Sequence, residues 1–486
     1  MPKLKAGANY FWKKHHPALG IRIPEIVLNG IMAALAKYST ASGIELSFGR
    51  ETSLQKIVAA PLGEYPISLG HTGTSIPHYL KAAESAAREA GLPIQLEGDH
   101  LIIIGAPEMA VKRIEGVFEK HTVDPKKLKK SFEYNFSAID EALATAPVRC
   151  FTTDTSDLIW HEADKLSKGD LEKELVKHLS EKGQRKLFSR YLDREFKIKT
   201  MAGTDFIIEF DRPNIIRLFL KYVETIRGNA RLYDYLYRKI SSRAFGFEIS
   251  MDETQYLTPV EDAFFYLTEW TASGRHFDYF APNIGFTKRA DYAGSLKTLQ
   301  TNVAKMAGIA NYFNEGIISF HSGSGSTPYS GKGEGVYEIL VNATGGRLKY
   351  KISGVYYELL MELLHGGAAG KTGKDLYEEI FDRVHEYCVD QIKKQGELAS
   401  DLLKKQLAQY DKDLASKKCK PRDPRADFFR FNSWLALAFR DDKANRIYRE
   451  KLVKLYNHDN KLKARVDEEV FALTERLIVG LKFEGN

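Results

Sequence analysis

Two short apolar runs in this chain end in side chains able to hold a metal or move a proton. Phe247-Glu248-Ile249-Ser250-Met251-Asp252-Glu253-Thr254 leads into carboxylates, and Ile317-Ile318-Ser319-Phe320-His321-Ser322-Gly323-Ser324 leads into an imidazole followed by small residues. Side chains of a strand alternate between faces, so Glu248, Ser250 and Asp252 share one face and Phe247, Ile249 and Met251 the other. Ser319 and His321 are likewise opposed to Ile318 and Phe320. A strand buried on both sides has no place for carboxylates and an imidazole at its exit unless they are paired or bound. The two exits therefore read as parts of one site. Glu248 and Asp252 could both bind metal, or one could bind while the other shuttles a proton. The plainer alternative is a barrel interior in which Lys or Arg neutralises them.

Other candidates stand at similar positions. In Glu97-Gly98-Asp99-His100, a carboxylate and an imidazole suit zinc, manganese or nickel; a Gly-Asp turn with Asp99 capping explains the same residues. Asp154, in Phe151-Thr152-Thr153-Asp154-Thr155-Ser156-Asp157, suits a ligand, a partner of a ligating histidine, or a helix cap, and Asp157 reads as a cap. Glu209 and Asp211 share that ambiguity, with Pro213 favouring a helix start. Ser322, Gly323 and Ser324 would let backbone N–H groups approach an anionic substrate, or form part of a loop over 322–335 that closes on it. His71 stands at a strand-to-helix junction and is a further candidate for substrate contact. Thr344, before Gly345-Gly346, belongs to an anion cradle or to a hairpin turn. The pair His15-His16 reads as surface. The glycine spacing matches neither a dinucleotide nor a Walker loop, and no Gly-x-Ser-x-Gly elbow is present.

The elements that must position these groups are apolar runs alternating with amphipathic stretches such as 75–90 and 213–240. The runs are Ile44–Phe48, Tyr65–Leu69, Leu92–Leu96, Leu101–Ile104, Val148–Thr152, Phe206–Phe210, Phe245–Ser250, Phe277–Phe280 and Ile317–Phe320. Such alternation implies an α/β fold with parallel strands, whose chemistry sits at the carboxyl ends of strands. The sequence divides into an amino-terminal segment over 1–40, a barrel over 41–370 and a helical extension over 371–486. Helix-like insertions are expected near 123–143 and 164–199.

Composition narrows the partners. The chain has 486 residues, 43% hydrophobic and 28% charged, and a formal charge of +7 from 71 basic and 64 acidic side chains. The basic residues are interspersed with acids, so no nucleic-acid surface is expected, and the small excess suits an anionic small molecule. Three dispersed cysteines without a CxxC fit neither a thiolate zinc site nor a disulfide framework, and point to the cytoplasm. No apolar run approaches transmembrane length, so no membrane partner is expected. A homo-oligomer is left open.

Phe247–Thr254 followed by Thr258-Pro259, and Ile318–Ser324 followed by Ala343–Gly346, resemble the tagaturonate/fructuronate epimerase family in order and spacing. Gly98-Asp99-His100 and Phe151–Asp157 resemble its earlier blocks more loosely. The likeness is clear over about 245–360 and faint over 95–160. It implies a TIM-like (β/α)8 barrel with helical insertions and a carboxy-terminal extension, and a metal-dependent isomerase that inverts a hydroxyl-bearing carbon of a ketohexuronate. By the same resemblance Glu248, His321 and His100 would hold a divalent ion, zinc, manganese or nickel. Asp252 and Asp154, with Glu248, would supply acid–base or substrate-binding groups. The inverted carbon lies β to the ketone, where enolisation does not reach, so retro-aldol cleavage and re-addition is the route expected. Past Ser324 the chain reads Gly325-Ser326-Thr327-Pro328, where the family pattern has an acidic and a basic residue. That change removes one partner for a substrate carboxylate and leaves a neutral ketose open beside a sugar acid. The alternatives are a metal-dependent aldolase or other sugar isomerase on the same barrel, and a silent carbohydrate-binding homologue.

Overall fold

The computed structural model describes residues 4–103, 124–242, 244–254 and 256–486. Ile104 and Val123, at the edges of two expected features, lie outside the described residues, as do residues 1–3 of the amino-terminal segment. In chain order the strands are β1 (Gly7–Ala8), β2 (His16–Gly20), β3 (Ser42–Ser47), β4 (Pro93–Ile102), β5 (Cys150–Asp154), β6 (Phe196–Lys199), β7 (Asp205–Ile208), β8 (Gly246–Met251), β9 (Tyr279–Pro282), β10 (Ile317–Phe320) and β11 (Leu348–Ser353). Eight of them, β2-β3-β4-β5-β8-β9-β10-β11, are parallel neighbours and close into a barrel through β11 and β2. The fold is the TIM-like barrel expected. β1 extends the edge of β4 at Pro93 and Ile94, before β5 joins it at Glu97.

The structure corrects several boundaries. Leu92–Leu96 and Leu101–Ile104 belong to one strand, β4, whose register shifts between Gly98 and Leu101. Asp99 and His100 are therefore in a bulged strand, not in a turn between two. Tyr65–Leu69 forms turns. Phe206–Phe210 supplies β7, half of an antiparallel hairpin with β6 outside the barrel, because a short apolar run does not distinguish a barrel strand from a hairpin arm. Asp211 caps the following helix, Arg212–Lys239, by accepting from the Asn214 N–H at 2.8 Å. The helix Pro125–Thr145, capped by Asp124, is the crossover between β4 and β5 and not an insertion. Residues 164–199 hold the helices Lys168–His178 and Glu181–Phe188 and strand β6. The barrel begins at His16, inside the segment expected to precede it.

Two barrel strands, β2 and β11, escape an apolar pattern because each turns a polar side chain, His16 or Lys349, inward. Lys349 of β11 meets Glu97 of β4 and Glu248 of β8, three strands of which no two are neighbours, so the contacts run across the interior. The Lys349 Nζ to Glu248 Oε2 distance is 2.6 Å, and His16 Nε2 lies 3.1 Å from Glu97 Oε1. His16 is thus a buried interior group, not a surface one. Burial opposes the charge on Lys349, but Glu248 and Glu97 outweigh it and hold the ammonium well above its usual range. The outward faces carry the apolar core, as where Phe247 stacks on Trp270 at 5.2 Å. We predict that Lys349→Met, which removes the ammonium buried between Glu97 and Glu248, lowers unfolding free energy by about 3–5 kcal/mol. Urea titration checks this, and a loss under about 1 kcal/mol would contradict it.

The carboxy-terminal helices cover the barrel. Asn460–Gly480 runs along Pro24–Lys37 so closely that a Cβ on Gly30 would meet the Asp467 carbonyl at 2.6 Å. Residues 427–434 reach further, to the carboxyl ends of the strands.

Candidate active site

A cavity of about 970 Å³, counting its open mouth, lies at the carboxyl ends of the barrel strands. It brings together seven of the expected residues: His71, His100, Asp252, His321, Ser322, Gly323 and Ser324. Asp154 stands at the end of β5, with Oδ1 accepting from the Ser156 N–H at 3.0 Å, as a turn-capping aspartate does.

Thr344 lies elsewhere. It ends the helix Val336–Thr344, its hydroxyl donates to the Leu340 carbonyl at 2.7 Å, and Gly345 is the left-handed cap. This is the amino-terminal side of β11, so Thr344-Gly345-Gly346 is a helix stop and not an anion cradle. The small residues after His321 also work differently from expectation. The Gly323 N–H donates to the Lys351 carbonyl at 3.1 Å, and a Cβ there would meet that carbonyl at 2.4 Å. Glycine is needed for close approach of two strand ends, and its N–H is spent on structure.

His100 is a candidate metal donor. It sits in the β4 bulge at φ 44°, and its Nδ1 is buried with no hydrogen-bond partner among the described residues. Burial, reinforced by Lys351 and Arg50, holds the imidazole well below its usual range, so it is neutral. One donor atom each from His100, Asp154 and Glu253 lie within 4.8 Å of one another, all three residues buried. A neutral imidazole and two carboxylates fit a divalent ion of the zinc, manganese or nickel kind, with coordination positions left for substrate. Glu253 is the donor that sequence reasoning passed over, although it follows Asp252 directly. Its Oε1 is held by Lys288 at 3.0 Å and Arg50 at 3.4 Å.

His321 and Glu248 take other positions. His321 Nε2 is 2.5 Å from Glu248 Oε1, and Nδ1 is 3.1 Å from Asp252 Oδ1. Burial alone would lower the imidazole, but Asp252 and Glu248 raise it to about 10, making it an imidazolium. His321 thus lies beside the three-donor set, its ring 5.3 Å from that of His100, rather than within it. Glu248 is fully buried beneath, its two oxygens taken by His321 and Lys349. The ligand role expected of Glu248 does not match this environment: it is the barrel-interior carboxylate of the plainer alternative, and it orients His321. Asp252 also accepts from the Ser250 hydroxyl.

The cavity is rich in cations that the sequence left unmarked. Arg22, Arg50, Lys288, Arg289 and Lys351 face Glu51, Asp99, Asp252 and Glu253 across it. Lys351 pairs with Asp99. His71 is neutral, since burial and Arg22 push its imidazole down to about 3. Its Nδ1 faces the Ser68 carbonyl at 3.2 Å, its Nε2 has no hydrogen-bond partner among the described residues, and its ring lies 4.6 Å from Trp434.

The family profile described as tagaturonate epimerase (UxaE) matches residues 103–468. The chain belongs to the tagaturonate epimerase family. A curated tagaturonate/fructuronate epimerase from Thermotoga maritima is 29% identical over 235 residues, 48% of this chain and 44% of that protein. The match therefore spans less than half the length of that epimerase. Crystal structures of the fructuronate-tagaturonate epimerase UxaE from Cohnella laeviribosi share the fold. The form with one glycerol has a TM-score of 0.64 at 21% identity, and the native form 0.64 at 20%. The first alignment covers 99% of this chain and 83% of the other, and the second 98% and 83%. Among the described residues no helix is long and apolar enough to cross a membrane.

Proposed function

We propose that the chain is a metal-dependent epimerase that inverts the hydroxyl-bearing carbon β to the ketone of a ketohexuronate. The observation that carries this reading is that His100 and Glu253, whose donor atoms lie within 4.8 Å of one another and of Asp154, share one strand-end cavity with the Asp252–His321 pair. Family membership supports the substrate class, and the cations around the cavity suit a sugar acid.

His100, Asp154 and Glu253 would hold a divalent ion, which supplies Lewis-acid stabilisation of charge developing at the ketone. Asp252 takes the proton of the β hydroxyl as the bond between the α and β carbons breaks, giving an aldehyde and an enediolate. The aldehyde rotates, the same bond re-forms on its other face, and Asp252 returns the proton. No hydride leaves carbon in either half of this route, so it requires no nicotinamide. The His321 imidazolium holds Asp252 in place and keeps positive charge beside the developing alkoxide. The wall around the cavity keeps the aldehyde from escaping between cleavage and re-addition.

The test is incubation of the full chain with tagaturonate and with fructuronate, with added manganese, zinc or nickel, and chiral analysis of products. Each ketohexuronate is expected to yield the other, with activity lost on chelation and restored by metal. Accumulating three-carbon fragments would replace this reading with an aldolase, and no turnover with any of the metals would overturn it.

A further inference from the structure

Two largely buried guanidinium groups lining the cavity each keep one nitrogen without a hydrogen-bond partner among the described residues. Arg22, just past β2, pairs through Nε with Glu51 Oε1 at 3.0 Å. Arg289, in the loop after β9, pairs through Nε with Glu358 Oε1 at 2.9 Å. Nη1 of both is buried with no hydrogen-bond acceptor among the described residues. The side chains are only 11% and 12% exposed. A guanidinium N–H withdrawn from water calls for an acceptor, and two such side chains lining one cavity suit the two oxygens of a carboxylate. The local charge agrees. Arg22, Arg289 and Arg430 stand against Glu51 and Glu358, three positive charges against two negative, which leaves one for an anion.

Arg289 does not hold this pose by itself. Its backbone is at φ 57°, a conformation that a non-glycine residue keeps only when its surroundings impose it. Arg430, from the carboxy-terminal extension, donates to the Arg289 carbonyl at 3.0 Å, and through its other terminal nitrogen to the Gly325 carbonyl at 3.0 Å and to Glu358. Lys332 donates to the neighbouring carbonyls of Thr287 and Ala290. Phe431 lies beneath the guanidinium, 5.0 Å from it.

We infer that Arg22 and Arg289 bind the carboxylate of the substrate, and that the carboxy-terminal extension, through Arg430 and Phe431, is the positioning element that sets Arg289 for it. The identity of the anion as a sugar carboxylate rests on the epimerase reading above. Arg22 and Arg289 thus take the place of the basic residue absent after Ser324, and the extension has a part in specificity.

Calorimetry of the full chain with a hexonate and the matching hexitol tests this apart from turnover, because neither carries a ketone and they differ only in the carboxylate. Wild type is expected to bind the hexonate more than about tenfold more tightly. Arg22→Lys and Arg289→Lys keep the charge but lose the fork, and each should cut hexonate affinity by about tenfold while hexitol affinity stays within about twofold. Arg430→Gln should weaken the hexonate selectively, by a smaller factor, as expected of a residue acting through another. Equal wild-type affinity for both ligands, or full preference kept in both lysine variants, would overturn the inference. Tighter binding of a hexulose 6-phosphate than of the hexonate would replace carboxylate by phosphate and overturn it as well. Hexonate preference without turnover of any ketohexuronate would sink the epimerase reading and leave the carboxylate subsite standing.

Discussion

His100→Ala is expected to lower kcat by more than about 100-fold and to strip the protein of stoichiometric divalent metal, with the barrel intact. The expectation follows from where His100 stands. It is a buried, neutral imidazole whose Nδ1 has no hydrogen-bond partner among the described residues, and one of its ring nitrogens lies within 4.8 Å of carboxylate oxygens of Asp154 and Glu253. Removing even a group that supports a metal ligand costs on the order of 10–100-fold in metal affinity or activity, and removing a ligand should cost more. Elemental analysis of dialysed protein beside steady-state rates checks both parts. A variant that keeps its metal and its rate would show that the three-donor set is not the centre of the chemistry.

Asp252→Asn is expected to lose turnover by about 10²–10⁴-fold while keeping metal and KM, the signature of a lost proton acceptor. Burial opposes ionisation of this carboxyl, but His321 and the Ser250 hydroxyl hold it below its usual range, so it is a carboxylate at neutral pH. Asparagine keeps the shape and loses the basic oxygen. His321 would then face only one carboxylate, Glu248, so the pair's geometry is disturbed less than by deletion. Metal lost together with activity would instead make Asp252 part of the ion's holding set.

The two opening blocks carried much of this in the sequence. Polar groups at the exits of β8 and β10 belonged together because strand alternation and the rule of carboxyl-end chemistry are local and nearly obligatory. His100 was legible for the same reason, although its strand was read as two. Glu253 was hidden by parity. Alternation sets it on the opposite face from Asp252, and only the departure from strand geometry after Met251 brings it into the cavity. Glu248 was misread because its partner, Lys349, lies in Leu348-Lys349-Tyr350-Lys351, a strand too charged to look buried. Arg22, Lys288 and Arg289 sit in loops, where no periodicity marks a side chain as inward. Arg430, Phe431 and Trp434 come from a helical region whose return to the strand ends is a tertiary event with no local signature.

The proposed route breaks and re-forms one carbon–carbon bond at a carbon that keeps its own hydrogen. Proton and carbon NMR of a ketohexuronate converted by the metal-loaded full chain in D2O tests that most directly. The expected product is the epimer at the carbon β to the ketone, with no deuterium bound there. Deuterium at the inverted carbon, or substrate left unchanged, would contradict it.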